Sequence, residues 1–384
     1  MQPVKIKILR LLSIVLFSIP DMLSAKGMPA TQDSTLKKEN ILNIMQKVAD
    51  WQLNEWNTKG FNHPPADWTN AACYTGIYAF GTMKGNDKYL EALVKIGDNL
   101  NWNTGRNRFM ADDYCIGQTY SLLYTRYHDK KMIAPFIKLA DSIVNKPHDE
   151  SLEWKNNIAS REWAWCDALF MGPTALSYLS TATKNPEYLN IAVKLWWKTT
   201  DYLYDPSEHL YFRDGSYLNR KEKNGEKVFW SRGNGWVLAG LVRVMENVPA
   251  GNPEKAKFEK LYKDMAAKIA SLQQPDGSWH ASLLDPASYP VKETSGTGFY
   301  CYALVWGLNH GMLDEKTYWP VVKKAWAALT SSVHPDGMLG YVQRIGDSPD
   351  MVTENSTEVY GVGAFLLTGS ELYKYVGNHP IKGQ

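Results

Sequence analysis

The sequence lacks the motifs of several large enzyme classes. It contains no glycine-rich phosphate loop, no dinucleotide fingerprint, no zinc-binding helix and no serine elbow. Its four cysteines, Cys73, Cys115, Cys166 and Cys301, match no spacing of a zinc or haem site and lie in apolar stretches. We therefore expect neither a metal nor another cofactor. We expect buried free thiols, with a disulfide as the alternative if the protein is exported.

An excess of either charge and a long apolar run are also missing. The 42 Lys and Arg residues nearly balance the 40 Asp and Glu residues, and the surplus of +2 lies in residues 1–25, where three basic residues accompany one acidic residue. The neutral remainder has no electrostatic footprint for nucleic acid. No run is long enough to cross a bilayer as a helix. We therefore expect neither a nucleic acid nor a membrane as partner, and a monomer or a homodimer.

The first 25 residues have the pattern of a secretory signal peptide. Lys5, Lys7 and Arg10 precede the short apolar run Leu11 to Ile19, and the small pair Ser24–Ala25 follows. A charged start, a short apolar core and a small-residue exit are typical of a cleaved leader. We expect export to the periplasm or the medium, and a single catalytic domain over residues 26–384. Two helical domains are the alternative, but no linker-like stretch separates them.

Apolar periodicity predicts twelve helices. They are expected near 35–55, 69–84, 86–100, 112–128, 131–145, 165–182, 186–204, 234–248, 253–273, 296–312, 316–332 and 357–376. Short and long connections alternate between them, which predicts six antiparallel hairpins with all the long loops on one rim. Helices after long loops are apolar all round, whereas the others carry one apolar stripe. The pattern predicts an all-α fold, an (α/α)6 barrel whose inner helices begin at one mouth, where helix N-termini favour anions.

Three segments at predicted inner-helix starts carry candidate site residues. Asp112 and Asp113 are adjacent, and one acid suffices as a cap. Asp167 lies among aromatic and apolar neighbours. Its burial among them would raise its pKa, whereas the positive end of the helix would lower it. In the segment 230–236, Arg232 offers a two-pronged donor for a carboxylate. Its other members are Asn234 and the indoles of Trp230 and Trp236, whose aromatic faces suit sugar rings.

The remaining segments leave their interpretation open. His209, Tyr211, Arg213 and Asp214 lie in the longest loop and fit either a site or a solvated loop. The stretches 293–298 and 354–358 are interpreted as helix starts with capping side chains. The repeated Pro-Asp-Gly turns at 275–277 and 335–337 are interpreted as structural, and their spacing fits one repeat of the barrel.

Three motifs resemble glycoside hydrolase family 105, the unsaturated rhamnogalacturonyl hydrolases, which are related to the unsaturated glucuronyl hydrolases of family 88. They are Trp165–Gly172, Trp230–Trp236 and Glu293–Thr297, and the resemblance extends over about residues 40–375. It implies an (α/α)6 barrel and an unusual glycosidase. Such an enzyme hydrates the C4=C5 double bond of a terminal unsaturated uronic acid, which polysaccharide lyases leave on oligosaccharides.

The resemblance also implies roles for individual residues. Asp167 matches the acid/base aspartate, and Asp113 is the choice for the second catalytic aspartate, with Asp112 as the fallback. Arg232 would hold the uronate carboxylate, while Trp230, Trp236 and Asn234 would line the pocket. Arg213 stands where some members have a histidine, and Arg161 is a candidate for a further cation near the carboxylate.

The expected partner is an oligosaccharide that ends in an unsaturated uronate, from rhamnogalacturonan, ulvan or arabinogalactan. Two alternatives remain at this stage. One is a different enzyme on the same barrel, either a polysaccharide lyase or an ordinary inverting glycosidase. An inverting glycosidase uses two carboxylates with a water molecule between them. The other is a sugar-binding protein without catalysis.

Overall fold

The computed structural model describes residues 34–379, so the predicted leader lies outside the described residues. Within this range the chain forms twelve α-helices and two short antiparallel strand pairs. The helices are α1 (Lys38–Lys59), α2 (Trp68–Gly81), α3 (Asp87–Asn99), α4 (Ile116–Tyr127), α5 (Ala134–Asn145), α6 (Ala168–Thr183), α7 (Pro186–Leu203), α8 (Ser231–Met245), α9 (Lys255–Ser271), α10 (Thr294–Asn309), α11 (Glu315–Thr330) and α12 (Val359–Asn378). Strand β1 (Tyr204–Asp205) pairs with β2 (Leu210–Tyr211), and β3 (Trp279–His280) pairs with β4 (Lys292–Glu293). No helix in residues 34–379 is long and apolar enough to cross a membrane.

The even-numbered helices form a closed inner ring. Each contacts the next even-numbered helix, and α12 returns to contact α2. Every residue of α8 is buried, whereas α9 buries one stripe that includes Phe258, Met265 and Ile269. This difference is the one the sequence predicts for inner and outer helices. The predicted (α/α)6 barrel is therefore confirmed.

The ring closes through a close approach of two glycines. A Cβ atom on Gly76 of α2 would lie 2.3 Å from the carbonyl oxygen of Gly363 in α12. No other residue type fits at that distance, because a side chain would force the helices apart. The four cysteines are buried and free, as expected.

The structure corrects two helix starts at the functional rim. The predicted helix 112–128 begins with a 3-10 turn at Ala111–Tyr114, and α4 follows only from Ile116. Helix α8 begins at Ser231, three residues before its predicted start. The reason is that the backbone N–H of Asn234 already bonds the Trp230 carbonyl at 3.1 Å. The segment that resembled a glycine turn is therefore the first turn of an inner helix.

Candidate active site

A cavity of about 190 Å³ lies where the inner helices begin. Its lining combines two carboxylates, one guanidinium and several large apolar side chains: Trp68, Asp112, Trp165, Asp167, Met171, Arg213, Trp230, Ile345 and Gly346. A larger groove of about 460 Å³ between Asn103 and Ser142 is lined by no carboxylate. Convergent polar groups in an otherwise apolar pocket are typical of a small-molecule site. We therefore identify the smaller cavity as the candidate active site.

Asp167 is placed in this cavity by the start of α6. It occupies the position before the first helical residue, yet its carboxylate caps no backbone N–H of the helix. The Cys166 thiol donates a hydrogen bond to its Oδ2 at 3.3 Å. Burial raises the pKa of that thiol well above its usual range, so it stays protonated and can donate. The Asp167 carboxylate is thus released from a capping role and free to face a ligand.

Arg213 lies beside Asp167 because two distant segments pair through the main chain. The Cys166 N–H donates to the Arg213 carbonyl at 2.8 Å, and Trp165 and Asp214 form an isolated β-bridge. The Arg213 Nη1 donates to the buried Asp214 carboxylate at 2.7 Å, and its guanidinium lies 5.1 Å from the Trp154 ring centre. Its Nε is buried without a partner among the described residues. Of the three arginines named from the sequence, Arg161, Arg213 and Arg232, only Arg213 lines the cavity.

The second carboxylate that lines the cavity is Asp112, and not Asp113, which was preferred from the sequence as the second catalytic aspartate. The Asp113 side chain accepts the Asn107 N–H at 2.7 Å and packs so tightly on Gly105 that a Cβ there would lie 2.0 Å from its Cγ. Asp113 therefore holds a loop outside the cavity. The Asp112 carboxylate accepts no hydrogen bond from the described residues and lines the cavity with Asp167. The two neighbours diverge because successive side chains of a 3-10 turn point about 120° apart.

Burial favours the protonated form of both carboxylates, and at Asp112 the neighbouring negative charges act in the same direction. Burial, followed by the charges of Asp167 and Asp67, raises the pKa of Asp112 to about 7. Burial also raises the pKa of Asp167, but Arg213, the Cys166 hydrogen bond and Arg232 oppose that rise. Two interacting carboxyl groups titrate as a unit. We therefore expect the pair to share one proton near neutral pH, with Asp112 as its preferred position, because Arg213 and Arg232 oppose the rise of the Asp167 pKa.

Arg232 lies behind the cavity wall. It is 1% exposed, and its Nη1 and Nη2 donate to the main-chain carbonyls of Gln343 and Arg344 at 2.6 and 2.8 Å. Its guanidinium lies 4.5 Å from the Trp230 ring centre and 5.0 Å from that of Tyr360. Arg232 does not line the cavity, contrary to the expectation that it holds the uronate carboxylate. Its Nη1 and Nη2 bind the loop that ends the cavity wall, and its Nε is buried without a partner among the described residues. It acts on Asp167 only through its field.

The other residues that the sequence suggested either line the cavity or lie outside it. Trp230 lines the cavity, and its Nε1 donates to Gln343 at 3.0 Å. Trp236 is fully buried and supports Trp68 edge-on at 6.0 Å from behind the cavity. Asn234 is also buried; it accepts from the Tyr211 N–H at 2.7 Å and donates to the Tyr211 carbonyl, which fixes β2 on α8. Arg161 pairs with Glu150 at 3.0 Å and does not line the cavity.

Sequence reasoning did not select five residues of the lining. Trp68 follows the helix cap Asp67 at the start of α2, so the rule that selected the other inner-helix starts would have found it. Trp165 and Met171 belong to the motif Trp165–Gly172, which also contains Asp167. Ile345 and Gly346 lie in a loop without periodicity, and no local pattern indicates them. Among the other segments, Glu293 caps α10 by accepting from the Ser295 and Gly296 N–H groups, as interpreted.

Comparison with known proteins gives one family and several close relatives. Residues 37–376 match the model of Glycosyl Hydrolase Family 88. The chain is 38% identical over 367 residues to an unsaturated 3S-rhamnoglycuronyl hydrolase of Formosa agariphila, covering 91% of this chain and 95% of that protein. It also resembles a solved family 88 glycosyl hydrolase from Bacteroides vulgatus, with 31% identity, a TM-score of 0.78 and coverage of 88% and 99% of the two chains. A solved structure named as a polysaccharide lyase is similar at 32% identity and a TM-score of 0.80, with coverage of 90% and 99%.

Proposed function

This chain belongs to Glycosyl Hydrolase Family 88, and from that membership we propose that it removes a terminal 4,5-unsaturated uronic acid from rhamnose-containing oligosaccharides. It is a glycosidase, a hydrolase rather than a lyase or a binding protein. The family resemblance of the three motifs is thereby confirmed. The observation that carries the proposed reaction is the meeting of Asp167, Asp112 and Arg213 in one small cavity.

Arg213 is the proposed anchor of the uronate carboxylate. A guanidinium binds a carboxylate through charge-assisted hydrogen bonds, which are strong where water is excluded. The substrate's negative charge would then offset the field with which Arg213 lowers the Asp167 pKa. The shared proton would then pass from Asp112 to Asp167, so that Asp167 is protonated only when substrate is bound.

Asp167 is the proposed general acid and base. Its carboxyl group donates the proton to C4 of the enol ether, and the oxygen of a water molecule adds to C5 while the water proton passes to the Asp167 carboxylate. The resulting hemiketal opens to a ketone at C5. The hemiacetal thereby formed at C1 expels the adjoining sugar as an alcohol, so one water is consumed and one uronate released. The Asp112 carboxylate would stabilise the positive charge that develops on the substrate, and Asp112 would carry the proton again between turnovers.

The test of this function is the fate of the conjugated double bond. Lyase-generated oligosaccharides absorb in the ultraviolet because of that bond, and the proposed reaction consumes it, so absorbance should decay with one equivalent of uronate released. A matched oligosaccharide with a saturated terminal uronate is the control and should not be cleaved. A rise in absorbance on intact polysaccharide would instead identify a lyase, and equal cleavage of the saturated control would identify an ordinary glycosidase.

The carboxylate pair sets the expected pH dependence. The reaction requires the protonated form of the pair, so kcat/KM should be highest at low pH and fall as the pH rises through about 7. Burial and the charge of Asp167 raise the pKa of Asp112 to about that value. Asp112→Asn removes the like charge and leaves the opposing Arg213, so the Asp167 pKa falls and the alkaline limb should move to lower pH. A pH profile of kcat/KM measures the alkaline limb of the wild type and of the variant. Asp113→Asn is the control and should shift the limb much less; an unshifted limb in Asp112→Asn would contradict the shared proton.

A further inference from the structure

An apolar side chain stands half-exposed at the mouth of the candidate active site. Ile345 lines the cavity yet is 44% exposed, and the described residues include only two other large apolar side chains with such exposure, Tyr127 and Met351. Apart from Gly346, which has no side chain, the remaining cavity lining is charged, aromatic or buried. Ile345 therefore presents an apolar surface to whatever lies just outside the cavity.

The main chain around Ile345 is held from behind. Arg232 donates to the carbonyls of Gln343 and Arg344, and the Tyr360 hydroxyl donates to the same Gln343 carbonyl at 2.5 Å. The Gln343 side chain donates to the Ser348 carbonyl at 2.7 Å. Contacts from α8 and α12 thus fix the residues before Ile345, and the Gln343 side chain joins them to the residues after it. A side chain held in this way offers a ligand a preorganised contact at little entropic cost.

The size of the cavity indicates what meets Ile345. A volume of 190 Å³ corresponds to the space of about six water molecules in the liquid, which accommodates one sugar ring and not two. If the terminal uronate occupies this space with its carboxylate at Arg213, the glycosidic bond leads the next unit out through the mouth. That unit then passes along Ile345.

We propose that Ile345 is a specificity-determining residue that contacts the unit attached to the terminal uronate and favours a methyl-bearing 6-deoxy sugar over a hexose. The proposal rests on the proposed function, because it requires the uronate to fill the cavity. A methyl group gains from contact with the isoleucine, whereas the hydroxyl of a hexose would lose water there. One such group in an apolar contact changes the specificity constant by about tenfold or more.

The experiment compares two substrates that share the terminal unsaturated uronate and differ only in whether the next sugar is a 6-deoxyhexose or the corresponding hexose. The wild type should favour the deoxy substrate by about tenfold in kcat/KM. Ile345→Ser should lose most of that preference through a higher KM for the deoxy substrate, with kcat within about twofold, and Ile345→Val should retain it. Met351→Ser is the matched control, because it removes an exposed apolar side chain of the same loop that does not line the cavity. It should leave both substrates unaffected.

Three results would overturn the inference. They are an equal loss on both substrates in Ile345→Ser, an unchanged preference in Ile345→Ser, or the same loss of preference in Met351→Ser. Each of these results tests the inference only if the wild type consumes the double bond. A wild type that consumes neither substrate would instead overturn the proposed function, and the inference with it, so the two failures are distinct.

Discussion

Asp167→Asn is expected to lower kcat by between about 10²- and 10⁴-fold, the contribution of a positioned general acid and base. The substitution keeps the shape of the side chain and an oxygen that accepts from the Cys166 thiol. It removes the proton that C4 must receive. Substrate affinity should change little, because the carboxylate contact to Arg213 is untouched. Single-turnover decay of the ultraviolet absorbance measures the chemical step, and calorimetry with the intact substrate measures binding.

The matched control for this substitution is Asp113→Asn. It makes the same chemical change at the same rim, but Asp113 faces the loop at Asn107 and not the cavity. An asparagine there still offers an oxygen to the Asn107 N–H, so kcat should stay within about threefold. If Asp167→Asn retained more than a tenth of the wild-type kcat while Asp113→Asn lost activity, the assignment of the two aspartates would be reversed.

Arg213→Gln is expected to lower kcat/KM by at least about 30-fold, mostly through KM. Removing one partner of a desolvated, hydrogen-bonded charge pair costs about 2–5 kcal/mol, and each 1.4 kcal/mol is a factor of about ten. Here the pair is the guanidinium and the substrate carboxylate. Initial rates across substrate concentrations separate KM from kcat, and a direct binding measurement with the inactive Asp167→Asn background confirms where the loss arises.

The same substitution also removes the partner of the buried Asp214 carboxylate, so folding must be measured alongside activity. Arg213→Lys keeps a positive charge for Asp214 and should remain folded, with an intermediate KM because a lysine lacks the two-pronged donor geometry. Arg161→Gln is the control, since Arg161 pairs with Glu150 away from the cavity. A folded Arg213→Gln protein with kcat/KM within threefold of the wild type would exclude Arg213 as the carboxylate anchor.

The position of Arg232 behind the cavity wall differs from what its sequence pattern suggests. An arginine between two tryptophans at a helix start suggests a ligand contact when only the sequence is read. In the structure, both of its terminal nitrogens donate to main-chain carbonyls 111 and 112 residues away. Arg232 is thus a positioning residue that holds the segment carrying Ile345, and its charge reaches Asp167 only through space.

The sequence by itself determined the barrel and indicated Asp167 as a residue of the candidate site. Alternating connection lengths and the difference between all-round and one-sided apolar helices depend on neighbouring residues, so local periodicity was enough to predict six hairpins around an inner ring. Asp167 was likewise recognisable, because its apolar neighbours and its helix start are local features.

Only the tertiary structure decided which charges share the cavity. Asp112 and Asp113 are adjacent, and the backbone rotation of one 3-10 turn separates the site residue from the loop anchor. Arg213 reaches Asp167 through pairing between distant segments, and Ile345 reaches the mouth because Arg232 and Tyr360 hold its loop. Side-chain direction and pairing between remote segments leave no periodic trace in a sequence, since each is fixed by contacts that form only when the ring closes.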